Sequence, residues 1–214
     1  MPTPTWDRLR PERRERIIAA GRAEFGEHGF SRASLNTIAR EANVAKGSLF
    51  QYFDDKIDFF AHLAELSAQI VEDHMAKAIA PLPWDTDFFG SLTEALYLWD
   101  EFFANNPQDR ALTAAINLEG DDQARLAVRQ AVNPHYLGVL VPLIGHGQGS
   151  GQIREDADLE MAAALFLLIL PHLALAPHTP GLDPIFGLDH KDFDSRKQVY
   201  VQFSDVFRRT FGAT

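Results

Sequence analysis

Ser34-Leu-Asn-Thr-Ile-Ala-Arg-Glu-Ala-Asn-Val-Ala-Lys-Gly-Ser-Leu-Phe-Gln-Tyr-Phe-Asp-Asp-Lys56 is the most informative stretch of this 214-residue sequence. Ser34 is a good helix N-cap, because its hydroxyl can accept from a backbone N–H one turn on. Behind it Leu35, Ile38, Ala39 and Ala42 fall at the spacing of one helical face. The pattern breaks at Asn43-Val44, and asparagine tolerates the left-handed backbone that a tight interhelical turn demands. A further short helix is expected from Lys46 to about Phe53, with Leu49 and Phe53 four residues apart and turned inward. Ala39 and Ala42 let the two helices approach closely while Ile38 and Leu49 fill the space between them. Two short helices joined by such a turn predict a helix-turn-helix.

Working outward, helical spacing continues in both directions. Ile17, Ile18, Gly21 and Phe25 share a face from Arg13 to His28, and Gly29 supplies a stop. Downstream, Asp54 and Asp55 place carboxylates at the positive end of a helix running through Phe60, Leu63, Ser67, Ile70 and His74 to about Ala80. Pro81 and Pro83 end it. Phe88, Leu92, Ala95, Leu96, Trp99, Phe102 and Phe103 form the next stripe, and Asn106-Pro107 starts another helix. From Asp121 and Asp122 a segment runs to about Ile144, with a kink or break expected at Pro134 and Pro142 and an end in the glycines 145, 147, 149 and 151. Two helices, Asp158 to about Ala176 and Asp192 to Phe211, close the chain around a Pro/Gly-rich loop from Pro177 to Asp189. No alternation of strand type occurs, so the fold class is all-α with about nine helices.

Charge divides the chain more sharply than composition does. The net charge is -10, yet residues 1–53 carry nine Lys and Arg against six Asp and Glu, leaving 11 against 24 for the rest. A basic head on an acidic body suits a small DNA-contacting module whose body is repelled by phosphate. With no cysteine there is no disulfide framework or thiolate metal site. Met1 to Arg16 holds no apolar core of a signal peptide, and the longest apolar run, Met161 to Leu170, is ten residues followed by Pro171. These features predict a cytoplasmic protein without a membrane span.

The stretch quoted above, extended back through Ile17, Ile18, Ala20, Phe25 and Gly29-Phe30, resembles the signature of the TetR family of one-component bacterial transcription regulators. The likeness covers about a quarter of the chain and fixes spacing over some 45 residues. It departs at Asn43, where the family has Gly, and at Phe50, where it has Tyr. The resemblance implies a DNA-binding domain over 1–53, a body over 54–214 joined to it by the helix of about 54–80, and a homodimer on double-stranded operator DNA. It implies DNA contacts from Thr37, Lys46, Gly47, Ser48, Phe50, Gln51, Tyr52 and Lys56. Ser48 and Tyr52 can donate to phosphate, Gln51 can pair with adenine, Phe50 can touch a thymine methyl or be buried, and Lys56 can clamp a phosphate at a helix start. Arg8, Arg10, Arg13, Arg14 and Arg16 form a basic arm able to enter a minor groove.

For the body, the resemblance implies dimerisation through the last two helices, with Leu165, Ile169 and Leu173 on one and Val199, Phe203, Val206 and Phe207 on the other; Phe166 and Leu168 share the first of these segments. It also implies a pocket for a small hydrophobic ligand, for which the large apolar candidates are Phe60, Leu63, Trp99, Phe102, Phe103, Ile116, Tyr136, Leu140 and Phe166. No catalytic or metal-ligand spacing occurs: Gly-x-Ser-x-Gly, His-Glu-x-x-His and the Walker loop are all missing. His135, His146, His172, His178 and His190 are scattered, and the glycine run 145–151 follows no strand. The expectation is therefore a repressor with no cofactor, released from a palindromic operator by its ligand. A DNA-binding regulator without an inducer is the alternative, and an all-α enzyme a remote one.

Overall fold

The computed structural model describes residues 2–213. Among them are ten α-helices: α1 (Pro4–Asp7), α2 (Pro11–Arg32), α3 (Leu35–Glu41), α4 (Lys46–Tyr52), α5 (Lys56–Ile79), α6 (Phe88–Asn105), α7 (Pro107–Asn117), α8 (Asp122–Gly149), α9 (Leu159–Leu175) and α10 (Phe193–Phe211). The sole β-type pairing among the described residues is an isolated bridge between Ile153 and Gly212. The chain forms two compact units. One holds the described residues up to Ile70 together with Asn106–Pro134; the other holds Val71–Asn105 and the described residues from His135 onward. Both α5 and α8 contribute one end to each.

In the first unit α2 is the central helix, packed on α3 and α7. Gly29 adopts φ 70°, which interrupts α2 near its end and lets the chain turn toward α3. The core is aromatic: Phe25 lies 4.9 Å from Phe60, and Phe53 stacks on Phe59 at 4.4 Å between ring centroids. Arg22 meets the buried Asp109 at 2.6 Å, and the Ser67 hydroxyl donates to the same oxygen at 3.1 Å, so one carboxylate ties α2, α5 and α7 together. Phe60, Leu63 and Ile116, expected as pocket residues, belong to this core and are buried in it.

In the second unit α10 and α9 pack on α6. The Asp158 and Asp192 carboxylates cap α9 and α10 by accepting from the backbone N–H groups of Met161 and Ser195. Two expectations change here. Helix α8 runs unbroken through Pro134 and Pro142, each of which forfeits one backbone bond without ending the ladder. Gly145, Gly147 and Gly149 lie inside that helix, and the left-handed residue that follows its end is Gly151, at φ 74°. Gly147 has a packing reason, since a Cβ there would come within 2.8 Å of Phe88 and Ile153. As expected, α9 runs on past Pro171, and its apolar segment is longer than the ten-residue run. Leu159–His178 spans 20 residues at mean hydropathy 2.0, long and apolar enough to cross a membrane by length and composition. Its inner face, with Ala162, Ala163, Phe166, Leu170 and Leu173, is buried in the unit, which makes it a core helix with one face left uncovered.

The expected interface residues differ in their exposure within the protomer. Leu173, Val199 and Phe207 are buried within the protomer, Phe207 stacking on Phe166 at 4.3 Å. Leu165, Ile169 and Phe203 are half-buried, Phe203 lying against Phe186 of the preceding loop. The exposed apolar side chains are Met161 and Leu168 on α9 and Val201 and Val206 on α10, with Leu168 74% exposed.

Candidate nucleic-acid interface and buried cavity

The α3–α4 pair is assembled from short-range contacts. Ser34 Oγ accepts from Thr37 N at 3.4 Å, and Ser34 N donates to Glu24 Oε1 at 2.7 Å, fixing the start of α3 against α2. Asn43 takes φ 54°, and Val44 N closes the turn on Ala39 O at 2.9 Å. Ile38, Ala39, Ala42, Leu49 and Phe53 are buried. This leaves one outward face on α4: Lys46, Gly47, Phe50 and Gln51 are exposed, and Ser48 and Thr37 are half-buried. Phe50, at 49% exposure, is a large apolar ring left in solvent beside a side-chain amide. A Cβ at Gly47 would meet nothing within 4 Å, so this edge of the helix is open to a partner.

Two residues expected on that face are placed otherwise. Tyr52 is 3% exposed, its ring 5.9 Å from that of Trp6. Lys56 is half-buried, with Nζ 4.6 Å from the Phe30 ring centroid and 3.5 Å from the Ser31 carbonyl that accepts from it. Burial pushes its ammonium below the usual lysine range, against the pull of Glu119, Glu24 and Asp121. At the start of α5, Asp55 Oδ1 already accepts from Asp58 N at 2.8 Å, so a carboxylate fills the place a phosphate would take.

The basic arm is not free either. Trp6 is buried, 4.9 Å from Phe53 and 5.5 Å from His62, and Thr3 donates from its N–H to Tyr52 O and from its hydroxyl to Gln51 O. Arg14 Nη2 donates to the carbonyls of Trp6 and Asp7, and Arg16 Nε donates to Ala42 O. Arg8, Arg10 and Arg16 remain exposed around a surface hollow they share with Arg13 and Glu12. Thus α1 clasps the C-terminal end of α4. Burial also holds the His62 imidazole below its ordinary range. A single tryptophan in a Pro/Thr/Arg-rich segment carries no periodicity, and sequence reading missed it.

The second unit holds a partly open cavity of about 80 Å³. Its walls come from α5 (Val71, Glu72, Met75, Ile79), α6 (Phe88, Leu92, Trp99), α8 (His135, Tyr136, Leu140, Ile144) and α9 (Phe166, Leu170), among others. Of the nine expected ligand residues, Trp99, Tyr136, Leu140 and Phe166 line it. Phe102 and Phe103 are buried on α6 outside the lining, Phe103 edge-on behind Trp99 at 4.9 Å. The Trp99 indole N–H donates to Leu170 O at 2.9 Å. At the wall, Glu72 Oε2 meets His135 Nδ1 at 2.7 Å.

Residues 17–63 match the family model described as bacterial regulatory proteins, tetR family. The chain is 28% identical over 157 residues to the probable acrEF/envCD operon repressor of Escherichia coli, covering 69% of this chain and 68% of that one. It is also 28% identical over 150 residues to the fatty acid metabolism regulator protein of Bacillus subtilis, covering 68% and 73%. Among solved structures it resembles a transcriptional regulator of Mesorhizobium loti, at TM-score 0.70 and 18% identity over 96% of this chain and all of that one. The Bacillus subtilis regulator FadR, solved with stearoyl-CoA, matches at TM-score 0.67 and 19% identity, covering 89% and 96%. These two structures share the fold.

Proposed function

This chain belongs to the TetR family of bacterial regulatory proteins, and we propose that, as a DNA-binding transcriptional regulator, it acts as a homodimeric repressor that leaves a palindromic operator when a hydrophobic effector binds. The observation that carries the DNA assignment is the outward face of α4, where Lys46, Gly47, Phe50 and Gln51 stand exposed on a helix whose opposite face is buried. Gln51 reads a base edge and Phe50 a thymine methyl, while Lys46, Ser48 and Thr37 contact backbone phosphate. Lys56 is given a supporting part, bracing α5 against the end of α2, and Tyr52 anchors the recognition helix to Trp6. Selecting bound duplexes from a random pool supplies the operator for the test. On it Lys46→Ala should weaken all duplexes alike and reduce the salt slope by about one unit. Gln51→Ala should cost roughly 1–3 kcal/mol at one base position per half-site. A uniform loss across sequences from Gln51→Ala would remove that residue from the readout.

The dimer reading rests on the uncovered face of α9 and α10. Met161, Leu165 and Leu168 lie along one side of α9 at helical spacing, and Val206 adds apolar surface on α10. Two-fold pairing of such faces sets two recognition helices one DNA turn apart, which half-sites require. Because Leu168 is exposed in the protomer, Leu168→Asp should leave the fold intact and yield monomers in sedimentation at micromolar concentration. A wild-type chain that sediments as a monomer there would end this reading.

For the effector, the support is the apolar cavity of the second unit and the course of α5, which starts beside the reader and ends in the cavity wall. Ligand pockets ordinarily measure about 300–1,000 Å³. The present cavity is far smaller, so a ligand must wedge the helices apart, and a displaced α5 changes the spacing of the two readers. The linkage is reciprocal: operator DNA weakens effector binding by the factor by which the effector weakens operator binding. A relative that is a fatty acid metabolism regulator, and a solved neighbour holding stearoyl-CoA, support a lipophilic effector as the class.

A further inference from the structure

We infer that the effector is a lipophile carrying one cationic nitrogen, seated with that nitrogen on the Glu72 carboxylate and its apolar body between α5, α6 and α8. The inference rests on the effector reading above and narrows it to a charge class. None of the residues lining the cavity is a lysine or an arginine. Its polar side chains are the Glu72 carboxylate, the His135 imidazole, the Tyr136 hydroxyl and the Trp99 indole, whose N–H is already spent on Leu170 O. His135 offers little to an anion, because its Nδ1 is engaged by Glu72 Oε2 at 2.7 Å and any incoming anion would face the carboxylate as well. The second Glu72 oxygen accepts no hydrogen bond among the described residues, and the side chain is 36% exposed to solvent where it borders the cavity, so an ammonium can reach it from the outer side. A charge-assisted hydrogen bond forms there without removing His135. The rest of the wall, from Val71 to Ile79 along α5, is apolar apart from Glu72 and extends about 12 Å at the helical rise, which suits an alkyl chain of medium length.

This predicts a preference by head group at constant tail. Calorimetric titration of the full-length protein with decylamine, decanol, decanoate and decanoyl-CoA supplies the comparison. Decylamine should bind at least about tenfold more tightly than decanoate or decanoyl-CoA. In Glu72→Gln, which keeps side-chain size, the amine should lose that advantage over decanol, and cooperative thermal unfolding followed by circular dichroism certifies that the variant is folded. Equal or tighter binding of decanoate or decanoyl-CoA to the wild type would overturn the charge class and leave the cavity standing as an anionic-lipid site. An amine preference that survives in Glu72→Gln would place the cation elsewhere and overturn the assignment to Glu72. If no decyl compound binds, decanol included, the effector reading itself falls together with the inference.

Discussion

Trp6→Ala should cost the first unit roughly 3–5 kcal/mol, the range for truncating a buried aromatic, and should take operator binding with it. The indole is 3% exposed and touches Tyr52 and Phe53 at the end of α4 and His62 on α5, with Arg14 over the ring at 5.6 Å from its centroid. Removing it leaves a void that three aromatic neighbours cannot close. It also releases the Thr3 bonds to Gln51 and Tyr52, so α4 loses its clasp. Urea unfolding should show the loss as a lowered midpoint in the transition that reports the first unit. Arg8→Ala and Arg10→Ala serve as controls, since exposed substitutions typically stay within about 0.5 kcal/mol. If Trp6→Ala unfolds like the wild type while operator affinity drops, the N-terminal segment is a DNA-contacting arm after all and not a structural clasp.

How much of this was legible beforehand depends on the range of the forces involved. The α3–turn–α4 unit was legible because each of its devices acts within a few residues: the Ser34 cap, the left-handed Asn43, and small alanines where two helices meet. Helix punctuation read less well, since proline is a local signal that tertiary packing overrides. Pro134 and Pro142 both sit within one continuous helix. A tryptophan whose partners lie some 46 to 56 residues away left no local trace.

The cavity lining shows the same limit in quantitative form. The positions Phe60, Leu63, Ser67, Ile70 and His74 follow a 3.5-residue repeat, whereas a straight helix drifts about 20° per heptad from that repeat. The buried stripe of α5 keeps Phe60, Leu63 and Ser67 but then passes to Val71, Met75 and Ile79, and it leaves Ile70 exposed at 43% and His74 exposed as well. Large aromatics were a fair guide to burial but not to which buried side chains border empty space. That depends on how four helices meet, so Trp99 and Phe166 line the cavity while Phe103, next to Trp99, does not.

Arg196→Met should be the second large effect, and it carries a signature in pH. Arg196 on α10 meets Asp100 on α6 at 3.2 Å, with Asp100 wholly buried and the guanidinium nearly so. Burial pushes the Asp100 carboxyl above its ordinary range, while the Tyr200 hydroxyl and the Arg196 guanidinium pull it back. Burial likewise pushes the Tyr200 hydroxyl up, and the neighbouring carboxylate adds to that. A raised carboxyl means that the folded chain binds the proton more tightly than the unfolded one. The stability it contributes is therefore present below the ordinary aspartate value and lost as pH rises through the raised one. Removing the guanidinium lifts Asp100 further and widens that window, so the variant should lose about 3–5 kcal/mol near pH 8, where the orphaned carboxylate must stay charged. It should lose distinctly less near pH 5, where it can take a proton. Adding Asp100→Leu to Arg196→Met removes both charges and should restore stability to near the wild-type level at both values. Thermal unfolding of the three proteins at the two pH values makes the comparison. An equal loss at both, unrelieved in the double variant, would mean that Arg196 acts through its packing on Phe193 and not through the buried charge. The outcome bears on assembly as well as stability, because this pair fixes α10 on α6 and α10 presents Val206 on the face proposed to meet a second copy of the chain.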